Sequence, residues 1–224
     1  LSEAIITAGG YDSSAYPFGG YLSNLKALEV NTLSKKKLYE VFITNLITNG
    51  MSSTDQSSGI GELLLQIKET KPTGRVIAEF DIDLIRNNKS LDTILEDGDT
   101  ILIPQITQQV FVQGEVGNSG AIRYAPNMGI DYYVNRSGGF LQSADEENIF
   151  IVHPNGETEN LNINSRLSFI LQDSNKTLIY PGSIIFIPQK TNFATTLQVA
   201  SIWAPIISSI ALSLTSLSVL NNTN

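Results

Sequence analysis

The sequence predicts an α+β protein in which one short helix packs on a small mixed sheet in a β-grasp-like arrangement. This unit occurs twice in tandem and is followed by a C-terminal amphipathic helix. Three observations predict this. Two phrases each occur twice along the chain. The runs between them are short, β-branched and aromatic, bounded by Gly, Pro and Asn. Residues 197–220 contain no charged side chain.

The repeated phrases set the frame. "ITAGGYDSSA" (6–15) is answered by "NRSGGFLQSA" (135–144): a helix-like lead, a Gly-Gly pair, an aromatic residue, and Ala five positions after the second Gly. "LEDGDTILIPQ" (95–105) is answered by "IYPGSIIFIPQ" (179–189): a turn containing Gly, an apolar strand, then Pro-Gln. Gly9, Gly10, Gly138 and Gly139 are expected to close helices where φ must be positive, and Gly98 and Gly182 to form turns. Read as an anion nest, the Gly-Gly pairs would be a binding feature; helix closure is the simpler reading. Gly139 to Gly182 spans 43 positions and Gly10 to Gly98 spans 88, so the first copy holds about 45 extra residues.

The extra material fits residues 25–73. "SKKKLYEVFITNLITNG" places Leu38, Phe42 and Leu46 on one helical face, with Ser34 as the expected N-cap and Gly50 as the stop. "IGELLLQIKET" repeats the pattern at Ile60, Leu63, Leu64 and Ile67. A two-helix excursion is therefore expected in the first copy. "RVIAEFDIDL", "DTILIP", "QVFVQGEV" and "SIIFIP" read as strands, with Asp81 and Asp83 on one solvent face. "NIFIVHPNGETENLNI" reads as a hairpin turning at Asn155-Gly156, and "NMGIDYYVNRSGG" as a short helix closed by glycine. The expected order in the second copy is β-β-helix-β-hairpin-β. The units are residues 1–105, 106–190 and a tail, 191–224.

Composition excludes several classes. The 224 residues carry 14 Lys+Arg against 22 Asp+Glu, a net charge of -8, which is unsuited to nucleic acid or to anionic headgroups. Without Cys there is no disulfide, thiolate site or cysteine nucleophile, and one histidine excludes multi-His metal sites. Asp97 and Asp99 with Asp81 and Asp83 lack the ligand spacing of a calcium loop. His153 sits before Pro154-Asn155-Gly156, the expected place of a surface turn histidine, with no catalytic partner nominated. "SADEENI" (143–149) reads as a solvated acidic loop, and Lys35, Lys36 and Lys37 as the solvated first turn of the inserted helix. No cofactor, metal or catalytic constellation is expected. The chain opens at Leu1 in a phrase that reads as mid-domain, as expected of a piece of a longer precursor.

The order "VFVQGEVGNSGAIRY", a helix, "SGGFLQSADEENIFIVHPNG" and "YPGSIIFIP" resembles the SLBB domain, a soluble-ligand-binding β-grasp module. The whole chain resembles the C-terminal part of an outer-membrane polysaccharide exporter of the Wza type. That family carries SLBB domains in tandem, some members have a helical insertion in one copy before a "GRVIAEFD"-like strand, and it ends on an amphipathic helix. The family's N-terminal export domain and lipidated cysteine have no counterpart here, and the first copy lacks its opening "GEV"-type strands. Ser183 stands where the family often has Asp, as Asp99 does in the first copy.

Placed on a helix at 100° per residue, Val199, Trp203, Ile206, Ile207, Ile210, Leu214 and Leu217 share one face, and Ser201, Ser208, Ser209, Ser213, Thr215 and Ser216 lie largely opposite. At about 1.5 Å per residue the stretch could span a hydrocarbon core of about 30 Å. The expectation is a ring of such helices. The apolar arc would meet outer-membrane lipid and the hydroxyl face would meet neighbouring helices or a wet lumen. The resemblance implies a non-enzymatic subunit of a homo-oligomeric channel exporting capsular or extracellular polysaccharide. Its SLBB copies would lie in the periplasm, with an inner-membrane polysaccharide co-polymerase as partner. The alternative is a periplasmic carbohydrate-binding module anchored by one C-terminal helix.

Overall fold

The computed structural model describes residues 1–48, 68–69, 71–162 and 177–190. The first half contains helix α1 (Ser2–Thr7), strand β1 (Tyr21–Ser23), helix α2 (Leu25–Thr48), strand β2 (Arg75–Val76), helix α3 (Ile82–Asn87) and strand β3 (Thr100–Leu102). The second contains β4 (Gln109–Gly114), β5 (Gly120–Arg123), helix α4 (Ile130–Arg136), β6 (Asn148–Val152), β7 (Thr158–Asn162) and β8 (Ile184–Ile187). The architecture is α+β, and the second half follows the order expected from the sequence.

Among the described residues two sheets form, ordered β2-β1-β3 and β5-β4-β8-β6-β7. The second is mixed: β4 runs parallel to β8, and the other pairs are antiparallel. The apolar runs of β6 and β8 are buried along their whole length. Ile149 and Ile151 of β6 and Ile185 and Ile187 of β8 make the larger core with Val110, Val112 and Val116 from the opening segment, and Tyr133 and Val134 from α4. A smaller core gathers Leu1, Ile5, Leu22 and Phe80.

The repeat read from the sequence reappears as backbone pairing. Tyr21, Leu22 and Ser23 of β1 pair with Leu102, Ile101 and Thr100 of β3. Phe150, Ile151 and Val152 of β6 pair with Phe186, Ile185 and Ile184 of β8 in the same register. Ala15 bridges Gln105 as Ala144 bridges Gln189. Tyr16 N–H donates to Pro104 O and Asp145 N–H to Pro188 O, both at 2.8 Å. The repeated phrases are therefore the two sides of one closure, made twice.

The halves differ where a strand pair is joined. Residues 153–157 connect β6 to β7 as a tight hairpin, closed by His153 N–H on Glu157 O at 2.8 Å. Between β1 and β2 the same place holds residues 24–74, closed by Asn24 N–H on Gly74 O at 2.8 Å. The first helix of the excursion begins earlier than the expected cap at Ser34. The Asn24 side chain accepts the N–H groups of Lys26 at 2.9 Å and Ala27 at 3.2 Å, so α2 starts at Leu25. Ser34 is thus mid-helix, because an Asx acceptor directly after a strand supplies the N-terminal donors first. Leu38, Phe42 and Leu46 side chains, Gly50 and the second expected helix face lie outside the described residues.

A second correction concerns "RVIAEFDIDL". Only Arg75–Val76 is strand. Asp81 accepts the N–H groups of Asp83 at 2.9 Å and Leu84 at 3.1 Å and so caps α3, where alternation had suggested a continuing strand. Among the described residues no helix is long and apolar enough to cross a membrane.

Candidate functional site

The two Gly-Gly pairs end α1 and α4 in one geometry. Gly10 N–H donates to Ile5 O at 2.9 Å and Gly9 N–H to Ile6 O at 3.0 Å; Gly139 donates to Val134 O at 3.0 Å and Gly138 to Asn135 O at 3.2 Å. These are paired Schellman closures, with φ of 105°, 80°, 83° and 79° at Gly9, Gly10, Gly138 and Gly139. Their N–H groups are spent on helix carbonyls, which removes the donors an anion nest would need. Gly98 (φ 86°) and Gly182 (φ 88°) occupy the third position of two matched turns. Across those turns Asp99 Oδ2 accepts Glu96 N–H at 2.9 Å and Ser183 Oγ accepts Tyr180 N–H at 3.1 Å. For this turn the position needs an acceptor rather than a charge, which accounts for Ser183 at the place that Asp99 holds in the first half.

The halves meet around Arg75. Its Nη2 donates to Pro154 O at 2.6 Å and to Gly20 O at 3.4 Å, and the guanidinium lies 5.4 Å from the Tyr21 ring centre. Gly156, at φ 92°, lets the β6–β7 turn close over it; a Cβ there would lie 2.7 Å from Arg75 Cζ. Burial pushes the Arg75 guanidinium below its ordinary value, and the neighbouring Tyr21 opposes that shift. Beside it, Phe18 and Tyr180 lie 4.5 Å apart between ring centres. Tyr16 flanks Phe18 at 6.0 Å, and the His153 ring meets Tyr180 edge-on at 5.5 Å. Burial pushes the Tyr16 hydroxyl well above its ordinary range. This seam holds the two sheets in one orientation through directional contacts. Sequence reading missed Arg75, Phe18 and Tyr180. Strand register gives Arg75 the place that Thr158 holds in the second half, Arg75 pairing with Ser23 and Thr158 with Val152, and the repeated phrases reach neither residue.

Three expectations about charged residues change. The His153 side chain is only 10% exposed, because Tyr180 packs against it, so it is not a surface histidine. Its Nε2 lies 3.6 Å from Glu159 Oε2, too far for a hydrogen bond. Asp145 is buried rather than solvated, accepting from Asn148 Nδ2 at 2.8 Å and Glu147 N–H at 3.2 Å, while Glu146 and Glu147 are exposed. Lys35 lies within α2 and donates to Lys68 O at 2.8 Å. Among the described residues no group of three or more His, Cys, Asp or Glu could hold a metal. The tail residues from Val199 to Leu217, apolar and hydroxyl faces alike, lie outside the described residues.

Residues 109–160 match the SLBB domain family. That range opens on β4 and ends within β7. The chain is 30% identical over 138 residues to the polysialic acid transport protein KpsD of Escherichia coli, covering 59% of this chain and 23% of that protein. A second KpsD sequence from the same species matches to the same extent. The uncharacterized protein YjbG of Escherichia coli K12 is 24% identical over 160 residues, covering 71% of this chain and 62% of that protein. The matched region is thus 23% of the length of the KpsD relatives.

Proposed function

We propose that this chain, whose SLBB domain and similarity to KpsD mark it as a polysaccharide export protein of the Wza and KpsD type, is a subunit of an oligomeric outer-membrane channel for capsular or extracellular polysaccharide. The observation that carries the reading is that the SLBB match runs over β4, β5, α4, β6 and the start of β7, four of the five strands of the mixed sheet and its helix. In this reading residues 1–105 and 106–190 are tandem β-grasp units in the periplasm. Residues 191–224 supply the membrane helix. The chain is a transport component, not an enzyme, and an inner-membrane polysaccharide co-polymerase feeds the channel.

The test is the assembly state of the full-length protein in detergent, joined to complementation of capsule or exopolysaccharide export in a strain lacking it. A closed ring that restores export is expected. A detergent monomer that retains polysaccharide would replace the channel with the singly anchored binding module. Unimpaired export in the deletion strain would remove the export reading altogether.

A further inference from the structure

The returning chain of the excursion lies along one side of helix α2. Asn31 Nδ2 donates to Thr73 O at 2.7 Å and Lys35 Nζ to Lys68 O at 2.8 Å. Asn31 and Lys35 are four residues apart and share a helix face. Leu33 is two residues from each of them, which at about 100° per residue turns it to the opposite side. There Leu33 is 61% exposed, and Val30, one turn before it, is 57% exposed.

The charges around Leu33 are arranged symmetrically in sequence. Lys26 and Glu40 stand seven positions before and after it, and Glu29 and Lys37 four before and after. Steps of four and seven return to the same face, within about 40° of Leu33. All four side chains are exposed. Among the described residues Glu29, Lys37 and Glu40 enter no ion pair. Lys26 Nζ meets Glu96 Oε2 at 2.6 Å, but both side chains are exposed, and a surface pair of this kind is exchanged at little cost. Each of the four charges is thus matched, at the same distance on the other side of Leu33, by its opposite.

We propose that this face of α2 binds a second copy of itself, the two helices packing antiparallel about a two-fold axis at Leu33. In that arrangement a residue a given number of positions before Leu33 faces the one the same number after it in the second copy. Lys26 faces Glu40 and Glu29 faces Lys37, each pair made twice. Leu33 meets Leu33, and Val30 lies against the alkyl stem of Lys36. A parallel pair in register would instead set Lys on Lys and Glu on Glu, which is repulsive. The charge pattern therefore selects both the occupant and its direction. A two-fold contact joins identical surfaces; it adds to a ring, whose neighbours meet through unlike faces, and does not close one. It rests on the pattern of α2 and not on the export reading, so the two fail separately.

The chain contains no cysteine, so introduced thiols report this contact without background. A single helix pair is a small interface, and trapping suits a weak association. In the full chain treated with diamide, Leu33→Cys is expected to form disulfide-linked dimers about tenfold faster than Ser34→Cys, which is turned away from the axis. In a mixture of Glu29→Cys and Lys37→Cys chains the mixed dimer should exceed its random proportion. An excess of either self-linked dimer would show parallel helices and overturn the proposal. Without cross-linking, sedimentation of Glu29→Lys should show association weakened by about tenfold or more, because Lys then faces Lys twice. Adding Lys37→Glu should restore it, with circular dichroism confirming that each variant is folded. Equal cross-linking of Leu33→Cys and Ser34→Cys, or a double exchange that fails to restore association, would overturn the proposal.

Discussion

Asn24 Nδ2 donates to Asp99 Oδ1 at 2.5 Å, tying the start of the excursion to the turn before β3. Their counterparts in the second half are His153 and Ser183. Ser183 is fully buried and its Oγ serves the turn, while Nδ1 of His153 finds no hydrogen-bond partner among the described residues. One polar pair has thus been kept in one copy and replaced in the other.

Ser183→Asp is expected to destabilise the protein by about 2 kcal/mol, because it buries a carboxylate with one oxygen unserved. Adding His153→Asn should recover much of that loss by rebuilding the Asn24–Asp99 arrangement. Thermal melts of the two single variants and the double variant form the cycle. Strict additivity would show that the two positions do not communicate.

Gly114 and Gly139 both have positive φ, but only Gly114 abuts backbone. Gly139→Ala should cost about 1–2 kcal/mol from conformation alone. Gly114→Ala should cost about 2–5 kcal/mol, since the Ile187 carbonyl must also move. Denaturant titration ranks them, and a reversed order would contradict the placement of β4 on β8.

Arg75→Met is expected to cost about 1–3 kcal/mol through loss of the bonds to Pro154 and Gly20. Arg75→Lys should recover little, because an ammonium lacks the planar fork and stacks poorly on Tyr21. Hydrogen exchange at Gly156 reads the seam directly. Unchanged exchange there in Arg75→Met would mean the guanidinium does not hold the turn.

The tail follows from the proposed channel. Arg at the centre of a lipid-facing arc costs about 2.5–3.5 kcal/mol. Ile210→Arg should therefore abolish outer-membrane insertion and export, whereas Ser208→Arg should still insert. Membrane fractionation separates them. Equal loss would favour a single anchor, and full function of Ile210→Arg would mean that the tail does not span.

The repeat, the hairpin at Asn155-Gly156 and the short helix closed by Gly138-Gly139 were legible because each is written in local chemistry: turn residues, alternation and glycine. The errors also share a cause. Asp81 and Asn24 bond to nearby N–H groups and start helices, and local hydrophobic alternation does not register a side-chain acceptor. The burial of His153 and Asp145, and the seam through Arg75, Phe18 and Tyr180, depend on contacts distant in sequence. No single window contains those pairs.

The unequal connections between matched strand pairs also bear on the order of folding. β6 and β7 are joined by residues 153–157, whereas β1 and β2 are separated by residues 24–74, five residues against 51. By the logarithmic law of chain closure the longer connection costs about 2 kcal/mol more entropy before its first contact forms. The second sheet is therefore expected to nucleate, with the first condensing onto it through the Arg75 seam. In pulse-labelled refolding the amides of Ile149 and Ile151 should gain protection before that of Leu22. Replacing residues 24–74 by the sequence of 153–157 should bring the two phases together. Simultaneous protection in the intact chain would mean that loop length does not set the order. With the second sheet protected first, a duplicated fold has acquired, through one lengthened connection, a template half and a follower half.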